Sequence, residues 1–278
     1  MLSACKSILN IFKRRAGAGW PFSFFAMFRK QRPIKNHLPY SRLAEIYDHV
    51  MRHVDYVHWA SYVESLFDRH LATPKSVLDL ACGTGSLAIE LHRRGYEVSG
   101  ADGCLEMLEV GRKKVAALNY PISFHHRNLI DLHDLPTFDA VLCLYDSINY
   151  MMTLGDMEKA FEMMKKVIKP NGIVIFDVCT ESNSLEHFND MKERDAGDGF
   201  SYVRHSYYKD GVQFNKFDIH FETDDTRVQE VHQQRIYPLS DVQSVLASSG
   251  FEIEGAYSGF GYSPPNELSD RVHFVLRG

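Results

Sequence analysis

Paired cysteines, metal-ligand spacing and long apolar runs are all missing from this 278-residue sequence. The five cysteines, Cys5, Cys82, Cys104, Cys143 and Cys179, form no Cys-x-x-Cys pair. That excludes a disulfide framework and a zinc ribbon, and it points to a reduced, cytoplasmic protein with no metal site. The neighbouring His125 and His126 do not converge on an ion either, because adjacent residues of a strand face opposite ways. No apolar run reaches the ~20 residues a membrane-spanning helix needs. Residues 1–39 lack Asp and Glu while holding eight of the 31 Lys and Arg, so the remainder carries 23 basic against 36 acidic residues, a net −13. A body of that sign suits no polyphosphate backbone, which removes nucleic acid from the expected substrates.

The basic leader, residues 1–39, has short apolar stretches broken by Lys13, Arg14 and Arg15, unlike the uninterrupted core of a secretory signal. Its apolar patch at 20–28 is either a weak membrane-surface contact or part of a flexible extension ahead of Met27 as a start. The second is favoured, since one short cationic patch binds membranes only marginally.

From residue 40 the apolar residues recur at helical spacing, Leu43, Ile46, Tyr47 and Val50, then Trp59, Tyr62, Val63, Leu66 and Phe67. That spacing predicts two helices. Strand patterns follow at 76–80, 96–102, 122–127, 138–146 and 172–178, with helical patterns at 86–94, 104–118 and 156–168, the last stopped by Lys169-Pro170-Asn171-Gly172. The alternation predicts an α/β, doubly wound, mostly parallel sheet with helices on both faces and ligands at the strands' carboxyl ends. Over 180–237 the pattern changes to three antiparallel strands, turning at Lys209-Asp210-Gly211 and Asp224-Asp225. A helix ending at Gly250 and two further strands close the chain.

The stretch VLDLACGTGSLAIEL, 77–91, reads as a strand handed to a helix through Gly83 and Gly85, where uncovered amides and the positive helix end meet a ligand. Asp102 closes the next strand 19 positions after Gly83, placed to accept from both hydroxyls of a ribose. Both features suit a nicotinamide dinucleotide. Asp79 does not: a carboxylate beside a pyrophosphate costs about 1 to 4 kcal/mol, so the ligand here should carry positive charge.

The motifs D-L-A-C-G-T-G at 79–85, A-D-G-C-L-E-M-L at 101–108, F-D-A-V at 138–141, D-S-I-N-Y at 146–150 and K-P-N-G-x-x-x-F-D at 169–177 resemble those of the class I S-adenosylmethionine-dependent methyltransferases. The likeness spans residues 40–278, which it makes one methyltransferase domain, and is nearest a small-molecule branch related to sugar-amine and glycine N-methyltransferases. It implies a Rossmann-like, seven-stranded sheet whose last strand is antiparallel, with 180–237 as a substrate lid. It also implies S-adenosylmethionine as cofactor, with Asp79, Ala81, Gly83 and Gly85 at the methionine end and Asp102 at the ribose. Met107, Asn128 and Leu129 would then border the adenine, and Leu144, Tyr145 and Asp146 the methyl group. Asn128 stands where the family usually has aspartate.

On this reading the acceptor is a small molecule with an N or O nucleophile, methylated in line. Tyr40 and Tyr47 would come from the N-terminal cover, Asn149 and Tyr150 from the loop after the fourth strand. Strand alternation forbids His232 and Arg235 from sharing a face, and Arg235 with Tyr237 is the preferred pair. An NAD(P)-dependent oxidoreductase and a noncatalytic S-adenosylmethionine-binding module are the competing readings. Asp79 speaks against the first and the tyrosine-rich cover against the second.

Overall fold

The computed structural model describes residues 35–266 and 268–278; the expectations for residues 1–34 lie outside the described residues. The described chain opens with strand β1 (Lys35–His37), a 3-10 turn at Leu43–Glu45, helix α1 (Tyr47–Val50) and α2 (Tyr56–Arg69). Strands and helices then alternate: β2 (Ser76–Leu80), α3 (Ser86–Arg93), β3 (Glu97–Asp102), α4 (Leu105–Leu118), β4 (Ser123–His126), β5 (Phe138–Cys143), α5 (Leu154–Val167) and β6 (Ile168–Cys179). After α6 (Glu181–His187) come β7 (Met191–Gly197), β8 (Phe200–Lys209), β9 (Val212–Phe221) and β10 (Thr226–Arg235). Helix α7 (Leu239–Ser248) and strands β11 (Glu252–Ser258) and β12 (Arg271–Arg277) complete the chain.

Seven strands form one sheet in the order β11-β12-β6-β5-β2-β3-β4. Only β12 runs against its neighbours. The fold is Rossmann-like. Its central strand β2 is buried on both faces because apolar layers meet it on each side. Val77 packs among residues of α2 and α3, including Trp59, Leu66 and Leu91, while Leu78 and Leu80 pack among residues of α5 and α7, including Phe161 and Val245. Strand order reverses between β2 and β5, which opens a crevice at their carboxyl ends. Asp55 and Thr153 cap α2 and α5 by accepting from the amides of His58 and Asp156 at 2.9 and 3.1 Å, satisfying donors that a helix start leaves free.

The second sheet has five strands, in the order β1-β10-β9-β8-β7, rather than the three expected. The sequence signal for the extra two is weak: β7 is a charged segment, MKERDAG, without apolar alternation, and β1 has three residues. The helix expected around Leu43 to Val50 is broken into a 3-10 turn and a single α turn at Ile46 (φ −119°, ψ 4°). Lys169-Pro170-Asn171-Gly172 ends α5, but the chain continues there as a bulged start to β6, with Asn171 at φ +60°.

Candidate active site

The carboxyl ends of β2, β3 and β5 and one face of the antiparallel sheet bound a single cavity of about 910 Å³. On the parallel-sheet side the chain leaves β2 through left-handed conformations at Ala81 (φ +54°), Gly83 (φ +55°) and Gly85 (φ +74°). Gly83 faces the cavity, and a Cβ there would stand 3.3 Å from Met107 Cε and 3.7 Å from the Tyr47 ring. Backbone is therefore open to a ligand at this point. Gly85 departs from its expected place. It turns toward Phe124, where a Cβ would lie 2.5 Å from the ring, so this glycine allows close packing under α3 and does not line the cavity.

Asp102 accepts from the amides of Gly83 and Cys104, each at 2.8 Å, and so ties the glycine loop to the start of α4. Burial raises its pKa against the pull of those two amides. An ionised carboxylate offers about four acceptor positions, which leaves two for a ligand diol. Asp79 is 3% exposed and its Oδ2 has no partner among the described residues. Burial and the charge of Asp102 push its carboxyl up to about 7. Such an oxygen is costly until a donor or a cation meets it. Met107 and Leu129 add apolar surface, and Asn128 accepts from the Ile130 amide at 3.3 Å, which leaves one lone pair of its carbonyl oxygen free.

Past Leu144, which also lines the cavity, Tyr145 (φ +62°) and Asp146 (φ +53°) are both left-handed without being glycine, a strain of about 1 to 3 kcal/mol each. Arg271, unforeseen in the sequence, holds them. It donates from Nη2 to Asp146 at 2.7 Å and from Nη1 to Asp177, which in turn accepts from the Asp146 amide at 2.9 Å. Gln234 donates to the other oxygen of Asp146.

On the antiparallel side the alternation along β10 is present, but the even positions face inward. Arg235 instead donates to the Asp210 carbonyl at the β8–β9 turn, and Tyr237 donates to the Met151 carbonyl at 2.7 Å within the core. Neither lines the cavity. The reason is Glu230, fully buried, whose carboxylate accepts from the amides of Tyr40, Arg42 and Leu43 at 2.7, 2.7 and 3.0 Å. Burial alone would raise its pKa, but His232 and these amides outweigh it and hold the group below the usual range. Asn149 is also off the cavity. Its amide donates to the Arg235 carbonyl at 2.8 Å and accepts from the Cys179 amide at 3.0 Å, joining the ends of β10 and β6.

Glu230 brings His232 with it. His232 Nε2 lies 3.4 Å from Glu230 Oε2 and Nδ1 lies 3.4 Å from the Tyr150 hydroxyl, which is 2.5 Å from the hydroxyl of Tyr40. The four side chains form a line from a buried carboxylate to two phenols at the cavity wall, beside Tyr47.

The model of a methyltransferase domain matches residues 77–172. Over 241 residues the chain is 32% identical to YqeM of Bacillus subtilis (strain 168), whose name includes the word methyltransferase, covering 84% of this chain and 95% of that one. This chain belongs to the class I S-adenosylmethionine-dependent methyltransferases. It is 24% identical to the dTDP-3-amino-3,6-dideoxy-alpha-D-glucopyranose N,N-dimethyltransferase of Streptomyces fradiae, over 79% of this chain and 88% of that one. An S-adenosylmethionine-dependent methyltransferase structure from Clostridium acetobutylicum superposes with a TM-score of 0.74 at 22% identity, covering 86% of this methyltransferase and 98% of that chain.

The donor groups fit the family's cofactor. The unpartnered Asp79 oxygen calls for a cation, and S-adenosylmethionine bears an ammonium and a sulfonium. The free acceptor capacity of Asp102 suits its ribose diol, and the cradle at Gly83 leaves room beside the backbone. The walls of the cavity also rest on contacts of residues that no motif announced. Glu230 and Arg271 are single charges in long-range contact, so local spacing carries no signal for them; the one available hint is that charges at strand positions with apolar neighbours must find partners.

Proposed function

We propose that this enzyme methylates an N or O nucleophile of a small molecule held between the ends of the parallel strands and the antiparallel sheet. The observation that carries this reading is the shared cavity: its volume lies in the range of small-ligand sites, and one wall has the features for the cofactor while the other is polar and tyrosine-rich. When bound, S-adenosylmethionine supplies a methyl group on a positively charged sulfur that leaves as a neutral thioether. Asp79 and the Gly83 loop hold the cationic amino-acid end, Asp102 the ribose, and Met107, Asn128 and Leu129 the base.

The strained Tyr145–Asp146 turn, fixed by Arg271, shapes the floor between the two ends. Alignment in line across this floor supplies on the order of 7 to 11 kcal/mol of the barrier. Tyr40, Tyr47 and Tyr150 grip the acceptor and exclude water. The nucleophile's proton passes to His232 through the Tyr150 hydroxyl, and Glu230 stabilises the resulting imidazolium. Residues 180–237 act as the substrate-binding insertion of a domain spanning 40–278.

Incubation with methyl-labelled S-adenosylmethionine and a metabolite extract, followed by mass spectrometry, tests this reading. Label is expected in a low-mass product; label confined to protein or nucleic acid would overturn it.

A further inference from the structure

The inner face of the antiparallel sheet changes character along its length. Toward the N-terminal turns it is apolar, with Phe200, Tyr202, Ile219 and Val228 packed on Leu43 and Ile46. Toward the cavity the same face presents Arg204, Ser206, Asn215 and Gln234. A sheet that buries so many polar groups needs partners for them.

Arg204 is the group whose partner is missing. Nε donates to Ser206 Oγ at 3.0 Å and Nη2 to Asn215 Oδ1 at 2.8 Å, so three of its five N–H donors are unused. No carboxylate stands at ion-pair distance from it among the described residues, unlike Arg271, which meets two. Glu193, its register partner on β7, takes the Tyr202 hydroxyl at 3.0 Å instead. The guanidinium is held over the rings of Phe188 and Phe217, 5.3 and 5.6 Å from their centres.

Two further groups are unsatisfied in the same wall. Ser184 is fully buried and Gln213 is 4% exposed, and neither Ser184 Oγ nor Gln213 Oε1 has a partner among the described residues. Ser184 is four residues before Phe188, which puts it one helical turn from the ring beneath the guanidinium. Ser184 can donate to an anion, whereas Gln213 Oε1 needs a donor.

We propose that Arg204 anchors an oxyanion, carboxylate or phosphate, of the methyl acceptor, and that the acceptor also bears N–H or O–H donors. This rests on the reading of the cavity as an acceptor site. The free edge of a guanidinium matches two oxygens of either anion at once, which a point charge does not. Arg204 and Tyr150 line the same cavity, so one small molecule bound there can face both the anchor and the proposed reacting centre.

The test uses full-length enzyme saturated with S-adenosylhomocysteine, titrated with acetate and separately with inorganic phosphate at constant ionic strength, and followed by calorimetry. Wild type is expected to bind one or both anions at millimolar concentration, the tighter one naming the group. Arg204→Gln should bind at least tenfold more weakly and Arg204→Lys in between, with S-adenosylhomocysteine affinity equal in all three as the check on folding. Absence of anion binding by wild type, or equal binding by Arg204→Gln, would overturn the anchor. Failure of the small-molecule reading shows separately, as unlabelled low-mass products in the methyl-transfer assay while anion binding at Arg204 persists.

Discussion

On the parallel-sheet side of the cavity, the lining groups come from strand ends and the few residues that follow each, among them Asp79, Gly83, Asp102, Met107, Asn128 and Leu129. On the antiparallel side they come from alternate positions of long strands and from a distant N-terminal turn, joined by Glu230 across 187 to 190 residues of chain. The first wall is mostly backbone and carboxylate, and it offers negative charge. The second is side chains, and it offers phenols, an imidazole and a guanidinium. One end is thus suited to a cation and the other to a polar partner, which is the division of labour that methyl transfer between two bound molecules requires.

The largest effect expected is at the seam between the walls. Arg271→Ala leaves the carboxylates of Asp146 and Asp177 buried without their counter-charge and should lower stability by about 3 to 5 kcal/mol; denaturant unfolding measures it, and a loss near zero would mean that the strained turn is held otherwise. Next, His232→Asn should lower kcat about a hundredfold while cofactor affinity stays within twofold, since a positioned base supplies about 10²- to 10⁴-fold. Equal losses in both would show that the two walls are not separable.

A pH titration sharpens the comparison from the other side. The folded pKa of Asp79, about 7, exceeds its ordinary 3.8, so in the ligand-free protein this group costs stability that appears as pH rises from about 4 to 7 and then stays constant. A cationic ligand needs the ionised form. Affinity for S-adenosylmethionine should therefore fall as pH drops below 7, by up to tenfold per unit, and Asp79→Asn should be weak and flat over that range. Calorimetry between pH 5.5 and about 7.5 decides; a flat wild-type profile would separate Asp79 from the cation.

The same contrast explains what was legible in the sequence. β2, the glycine turn and Asp102 lie within 27 positions, so spacing alone brought them together, and the order of strands and helices followed from apolar periodicity. The alternation of β10 was legible as well, but periodicity divides a strand into two faces without saying which is inside. Alternation puts Arg235 and Tyr237 together on one face and His232 on the other; the buried Glu230, two residues before His232, turns the His232 face inward through backbone amides that carry no residue signature. Asn149 sits in the loop after the fourth parallel strand, as expected, yet its side-chain amide serves two backbone groups and does not line the cavity. Gly85 belongs to the motif and is required by the Phe124 ring, a contact invisible in local spacing.

The account depends most directly on the carboxylate at the end of β3. Isothermal titration of S-adenosylhomocysteine into wild type and Asp102→Ala should show the dissociation constant rising about a hundredfold, the worth of two charge-assisted hydrogen bonds to a diol. An unchanged constant, with the variant folded and wild type binding, would contradict it.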